Sequence, residues 1–145
     1  MILPISLSIA AALALVNIWL AMRVVQLRLG TRTLIGTGGN AVLETRMRAQ
    51  ANLIEYAPFF LVLLALVELA GAPATRLWIV GVAFVLARIA HVFGMDRAAP
   101  NPLRAGGAVA TWVLLLLLAG WALAIAYAAP PSGGALVVEP VSARA

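Results

Sequence analysis

The sequence predicts an all-α protein, an integral membrane four-helix bundle, on three observations. Of its 145 residues 64% are apolar and only 10% charged, and the mean hydropathy is +1.06. A soluble domain is about half apolar and about a quarter charged, and a globule of this size leaves roughly 30% of its unfolded surface exposed, too much to hide such a composition from water. The apolar residues also fall into four runs, each long enough to cross a bilayer as a helix. Finally, the arginines gather in two of the connections between those runs. This composition excludes a soluble enzyme, a disordered tail and a secreted disulfide scaffold. With no cysteine there is no disulfide, thiolate nucleophile or Cys-ligated metal.

The first span is expected over about 5–27, since the first 22 residues carry no charged side chain. No basic segment precedes it and a charged stretch follows, so it does not read as a signal peptide. Residues 28–48 hold Arg28, Arg32, Glu44, Arg46 and Arg48 around a turn-forming Gly36-Thr37-Gly38-Gly39-Asn40, and are expected to form a loop outside the hydrocarbon. The second span covers about 49–70 and ends at Gly71-Ala72-Pro73; the short hairpin makes the third span, about 75–95, its antiparallel neighbour. Residues 96–105 are the next polar connection, with Pro100 and Pro102, and the fourth span covers about 106–128. Pro130-Pro131 stops it, and residues 130–145 read as a mobile tail.

All ten basic residues are arginine, and the net charge is +5. Seven of them (Arg23, Arg28, Arg32, Arg46, Arg48, Arg97 and Arg104) belong to the connections after spans one and three or to the adjoining helix ends, against Arg76 and Arg144 on the other side. The positive-inside rule therefore puts those loops in the cytoplasm and both termini outside. The arginines form no continuous stripe and accompany no nucleic-acid motif, which points away from nucleic acid as a partner.

Three ionisable groups lie inside spans: Glu55, Arg88 and His91. An ionised group near the bilayer centre costs about 2.5–3.5 kcal/mol on insertion scales, and such groups face a bundle interior or a wet cavity. Arg48, Asn52 and Glu55 are spaced i, i+4, i+7, within about 60° of one another on one helix face. Arg88, His91 and Met95 share a face in the same way. Both faces lie in the arginine-rich half, where span four also begins after Arg104, so a polar pocket open to that side is the simplest arrangement. Two structural readings stand beside it: Glu55 and Arg88 as an ion pair locking two helices, and His91 bonding a carbonyl or Asn52 across an interface. One histidine and no cysteine make a poor metal-ligand set. Glu68 and Arg76 are expected to pair at the opposite interface. Gly106 with Ala110, and Gly107 with Thr111, offer a small-xxx-small contact.

The run from Arg48 through Asn52 and Glu55 to Pro58 resembles the span-two signature of the MAPEG family (membrane-associated proteins in eicosanoid and glutathione metabolism), and Arg88-Ile89-Ala90-His91 resembles its span-three motif. Gly38-Gly39-Asn40 and Ala110-Thr111-Trp112 further resemble its small bacterial inner-membrane branch, so the resemblance runs from about Trp19 to Trp121. It implies a homotrimer in the bacterial inner membrane, with glutathione bound as cosubstrate between subunits near the cytoplasmic face. It also implies transferase or peroxidase activity on hydrophobic electrophiles that arrive from the lipid. Position by position, Arg28, Arg48, Asn52, Glu55, Arg88 and His91 match glutathione-binding residues, and Arg104 matches the arginine facing the sulfur. Met95, Ala105 and Ala108 replace hydroxyl-bearing residues near that sulfur, and Ala51 replaces an arginine of eicosanoid-forming members. These departures argue against prostaglandin or leukotriene synthesis. They leave a second reading open, a non-catalytic membrane assembly or binding module on the same scaffold.

Overall fold

Four helices follow one another along the chain: α1 (Pro4–Thr31), α2 (Ala41–Leu69), α3 (Ala74–Met95) and α4 (Pro102–Ala128). They come from a computed structural model that describes residues 2–98 and 100–129. The tail expected over 130–145 lies outside the described residues. Each helix is long and apolar enough to cross a membrane. Even the shortest, α3 with 22 residues, measures about 33 Å against a hydrocarbon core of about 30 Å. The all-α, four-span expectation holds.

The helix ends correct two expectations. Residues 41–48 are the opening turns of α2 rather than loop, because Asn40 caps them: its Oδ1 accepts from the amides of Val42 and Leu43, both at 3.0 Å. Propensity and a cap extend a helix past the apolar run that marks its span. Likewise α4 starts at Pro102, with Asn101 accepting from the Leu103 amide at 2.9 Å. At the opposite end of the bundle Glu68 does not pair with Arg76. Its carboxylate accepts from the Ile5 amide (3.0 Å), the Ser6 amide (2.7 Å) and the Ser6 hydroxyl (2.6 Å). The orphan amides of a helix N-terminus attract a carboxylate more strongly than an exposed arginine does. The last turn of α2 thereby caps α1, whose own N-cap residue, Leu3, has no side-chain acceptor.

α2 and α3 form the centre of the bundle. Both touch α1, α4 and each other, whereas α1 and α4 do not meet. Leu20, Leu53, Phe60, Phe84 and Leu118 fill the core, with the Phe60 and Phe84 rings stacked at 3.7 Å and 12°. Large apolar side chains such as Leu15, Leu116 and Tyr127 point outward, as a lipid solvent allows. α4 buries only Gly107, Thr111 and Leu118.

Two glycines set how closely α3 and α4 approach. A Cβ on Gly94 would strike the Arg104 backbone, and one on Gly107 would strike the Ala87 carbonyl and His91. Gly106 faces open space, so of the two small-residue patterns the Gly107–Thr111 face makes the contact. Gly94→Ala should cost about 1–3 kcal/mol through overpacking and lower Tm in detergent, while Gly106→Ala should hold or raise it. Equal Tm values for the two variants would contradict this packing.

Candidate functional site

Close packing of α3 on α4 brings the intramembrane polar groups into one place. Arg88 is buried and lies between three helices. Its Nη1 donates to Asn52 Oδ1 on α2 at 2.5 Å, and its Nη2 donates to the Gly107 carbonyl on α4 at 3.0 Å. The same carbonyl accepts from the Thr111 hydroxyl at 2.8 Å. The guanidinium carbon also stands 5.8 Å from the Tyr56 ring and 6.0 Å from the Phe84 ring, where aromatic faces stabilise a cation. No carboxylate pairs with it among the described residues. Glu55, the expected ion-pair partner, is exposed on the outer face of α2 and makes no ion pair among the described residues. Spacing placed Glu55 on the face of Asn52, but the shorter amide occupies the inner edge that Arg88 reaches.

His91 is buried one turn further along α3, with Nδ1 3.0 Å from the Arg104 carbonyl. A carbonyl only accepts, so Nδ1 carries the proton and Nε2 of the neutral ring is left as an acceptor. Of the readings open for His91, the carbonyl bond is the one realised. It ties the end of α3 to the first turn of α4, where Gly94 allows the backbones to touch.

Beside these bonds lies a crevice of about 160 Å³. α2 lines it with Arg48, Ala51, Asn52 and Glu55, α3 with His91 and Met95, and α4 with Arg104. Five of the seven residues singled out in the sequence therefore share one void. Arg48, Glu55 and Arg104 are exposed. The contact of Arg48 Nε with Glu44 is 3.5 Å long and solvated, so it leaves the terminal nitrogens free to meet an anion. Arg88 stands behind the crevice and acts on it through Asn52. Gln50 faces away, donating to Asn17 of α1 at 3.4 Å.

Arg28 is not brought to the crevice within this chain. Its Nη1 donates to the carbonyls of Thr33, Leu34 and Gly36 at 3.0–3.2 Å, and its Nη2 meets Met47 Sδ. These three carbonyls follow the end of α1, so an arginine in its last turn folds back on them and fastens the α1–α2 connection. Sequence reasoning also missed a pair at the arginine-rich end. Arg23 Nη2 binds both Asp96 oxygens at 2.6 Å, and Arg46 donates to the Arg23 carbonyl at 2.8 Å. The signal was present: Arg23 lies in the last turns of α1 and Asp96 just past α3, at matching depths.

The family model described as MAPEG family matches residues 6–124. The chain is also similar to "Inner membrane protein YecN" of Escherichia coli K12, with 34% identity over 95 residues, 66% of this chain and 72% of that protein. The protein of the same name from Escherichia coli O6:H1 (strain CFT073) matches to the same extent.

Asn52→Leu should cost about 1.5–3 kcal/mol, since it removes a hydrogen bond to a buried charge and leaves Nη1 unpaired, whereas Arg48→Gln should leave Tm unchanged. Thermal unfolding in detergent checks this. An Asn52→Leu variant as stable as Arg48→Gln would show that Arg88 does not depend on the bond.

Proposed function

The chain belongs to the MAPEG family, and from that premise we propose that the crevice between α2, α3 and α4 binds glutathione and supports transfer of its thiolate to hydrophobic electrophiles, or reduction of lipid hydroperoxides, in a bacterial inner membrane. The observation that carries this reading is the convergence of Arg48, Asn52, Glu55, His91 and Arg104 on one void. Glutathione is an anionic tripeptide with two carboxylates and an ammonium. Arg48 supplies a bidentate fork for a carboxylate, Glu55 an acceptor for the ammonium, and the Asn52 amide NH2 a donor, its oxygen being taken by Arg88. His91 Nε2 adds an acceptor beside them.

Transfer requires the thiolate. A free thiol ionises near pH 8.5, and a neighbouring cation lowers that value. Arg104 takes this role by stabilising negative sulfur in a partly desolvated crevice, with no proton transfer of its own. At about 160 Å³ the crevice falls short of the 300–1,000 Å³ of ordinary small-molecule sites, so in this reading one chain holds part of the tripeptide and a neighbouring copy, in the homotrimer that the family resemblance implies, closes the rest. Arg28 then contributes from the adjoining subunit or not at all. The arginine-rich segments 28–48 and 96–105, the connections with their adjoining helix ends, face the cytoplasm in this reading.

Met95, Ala105 and Ala108, which offer the sulfur no hydroxyl, favour a second reading in which the same crevice only binds. Two measurements separate these readings. Isothermal titration with glutathione, in detergent that keeps the assembly intact, should give saturable heat below millimolar ligand; no heat at millimolar concentration removes the cofactor. Arg104→Ala should abolish the ultraviolet thiolate absorbance of bound glutathione and lower conjugation on the order of 100-fold. Unchanged thiol ionisation with a lowered Tm would assign Arg104 to structure alone.

A further inference from the structure

A second basic cavity lies at the arginine-rich end, between the end of α1, the first turn of α2 and the end of α3. It measures about 400 Å³ and is lined by Arg23, Arg46, Arg97, Asp96, Thr45 and Val42, among others. It shares only Met95 with the crevice. Three guanidinium groups face one carboxylate, a local excess of two positive charges. Its guanidinium groups are only partly satisfied. Arg23 spends Nη2 on Asp96, while its Nη1 is buried with no partner among the described residues. Arg46 uses Nη1 on the Arg23 carbonyl, and its remaining N–H groups and those of Arg97 meet no acceptor among the described residues.

We infer that this cavity binds the phosphodiester headgroup of an anionic phospholipid. A phosphodiester carries one negative charge on two unesterified oxygens, the acceptor geometry that arginine forks match bidentately. Arg46 and Arg97, whose N–H groups are left over, can meet those oxygens without breaking the Arg23–Asp96 pair. What selects a lipid over a soluble phosphate is the surface one turn deeper, about 5 Å along the helices. There the Trp19 and Phe93 rings meet at 6.1 Å, Arg23 lies 5.2 Å over Trp19, and half of Phe93 is exposed. Arginines above an exposed aromatic ledge repeat the order of a phospholipid, headgroup then acyl chain. A zwitterionic headgroup would set its ammonium against the local positive excess, so anionic lipid is preferred. The inference rests on the fold and is independent of glutathione.

Native mass spectrometry of the purified full chain, titrated with phosphatidylglycerol, phosphatidylcholine and glycerol phosphate, tests it. Phosphatidylglycerol should be retained on the order of tenfold more tightly than phosphatidylcholine. Arg46→Gln with Arg97→Gln should erase that preference, and Arg48→Gln, in the other cavity, should keep it. Arg97→Gln alone removes no protein bond and should lower the preference severalfold even if the double variant fails to fold. Equal retention of the two lipids, or a preference that survives Arg97→Gln, overturns the site. Glycerol phosphate binding as tightly as phosphatidylglycerol overturns its assignment to a lipid.

Discussion

A guanidinium group buried among membrane-spanning helices is the constraint on which the rest of this structure turns. Arg88 is 2% exposed and has no carboxylate partner among the described residues. Its charge is met by one amide oxygen, one backbone carbonyl and two aromatic faces. Each of these comes at a structural cost. The carbonyl is reachable only because residue 107 has no side chain, and the amide only because Asn52 turns inward from α2. Phe84 is itself held by Phe60, which stacks on it from α2. One side chain thus fixes the relative heights of α2, α3 and α4, and its Nε remains buried without a partner among the described residues.

The crevice follows from that arrangement. With α3 and α4 in backbone contact, His91 reaches the Arg104 carbonyl, and Arg104 is held above the α3 end rather than free in the connection. With Asn52 held by Arg88, the neighbouring positions Arg48 and Glu55 fall on the rim. The buried groups organise and the exposed ones remain available: Arg88 and His91 are bonded to protein, while Arg48, Glu55 and Arg104 are not committed to strong partners. In the function proposed above, that rim receives the charged groups of an anionic, sulfur-bearing ligand. α4 also buries so little of itself that a wide apolar flank remains for lipid or a second chain.

Much of this was legible in the sequence, for physical reasons. A span is a local property, so hydropathy located all four helices. Helical periodicity is local too, so Arg48, Asn52 and Glu55 were placed on one face, as were Arg88 and His91. Partner choice is not local. Glu68 sits on the amides of α1, over sixty residues away, and no spacing rule separates that acceptor role from a pair with Arg76. The Arg23–Asp96 pair spans 73 residues and depends on the relative heights of α1 and α3, which no local pattern gives. Arg28 was matched to a ligand role by resemblance alone, while its own position in the last turn of α1 pointed to the carbonyls it holds. The start of α2 was misread because its first turns are polar and their stability comes from a single asparagine cap.

The most direct test of the central claim is an experimental structure of the protein, assembled in lipid or detergent, after soaking with glutathione. The account requires density for the tripeptide in the crevice, its carboxylate on Arg48 and its sulfur facing Arg104, with a neighbouring subunit closing the open side. Clear density for Arg48, Glu55 and Arg104 with no ligand among them at saturating glutathione would contradict it, and would reduce the cluster to a device for holding helices together.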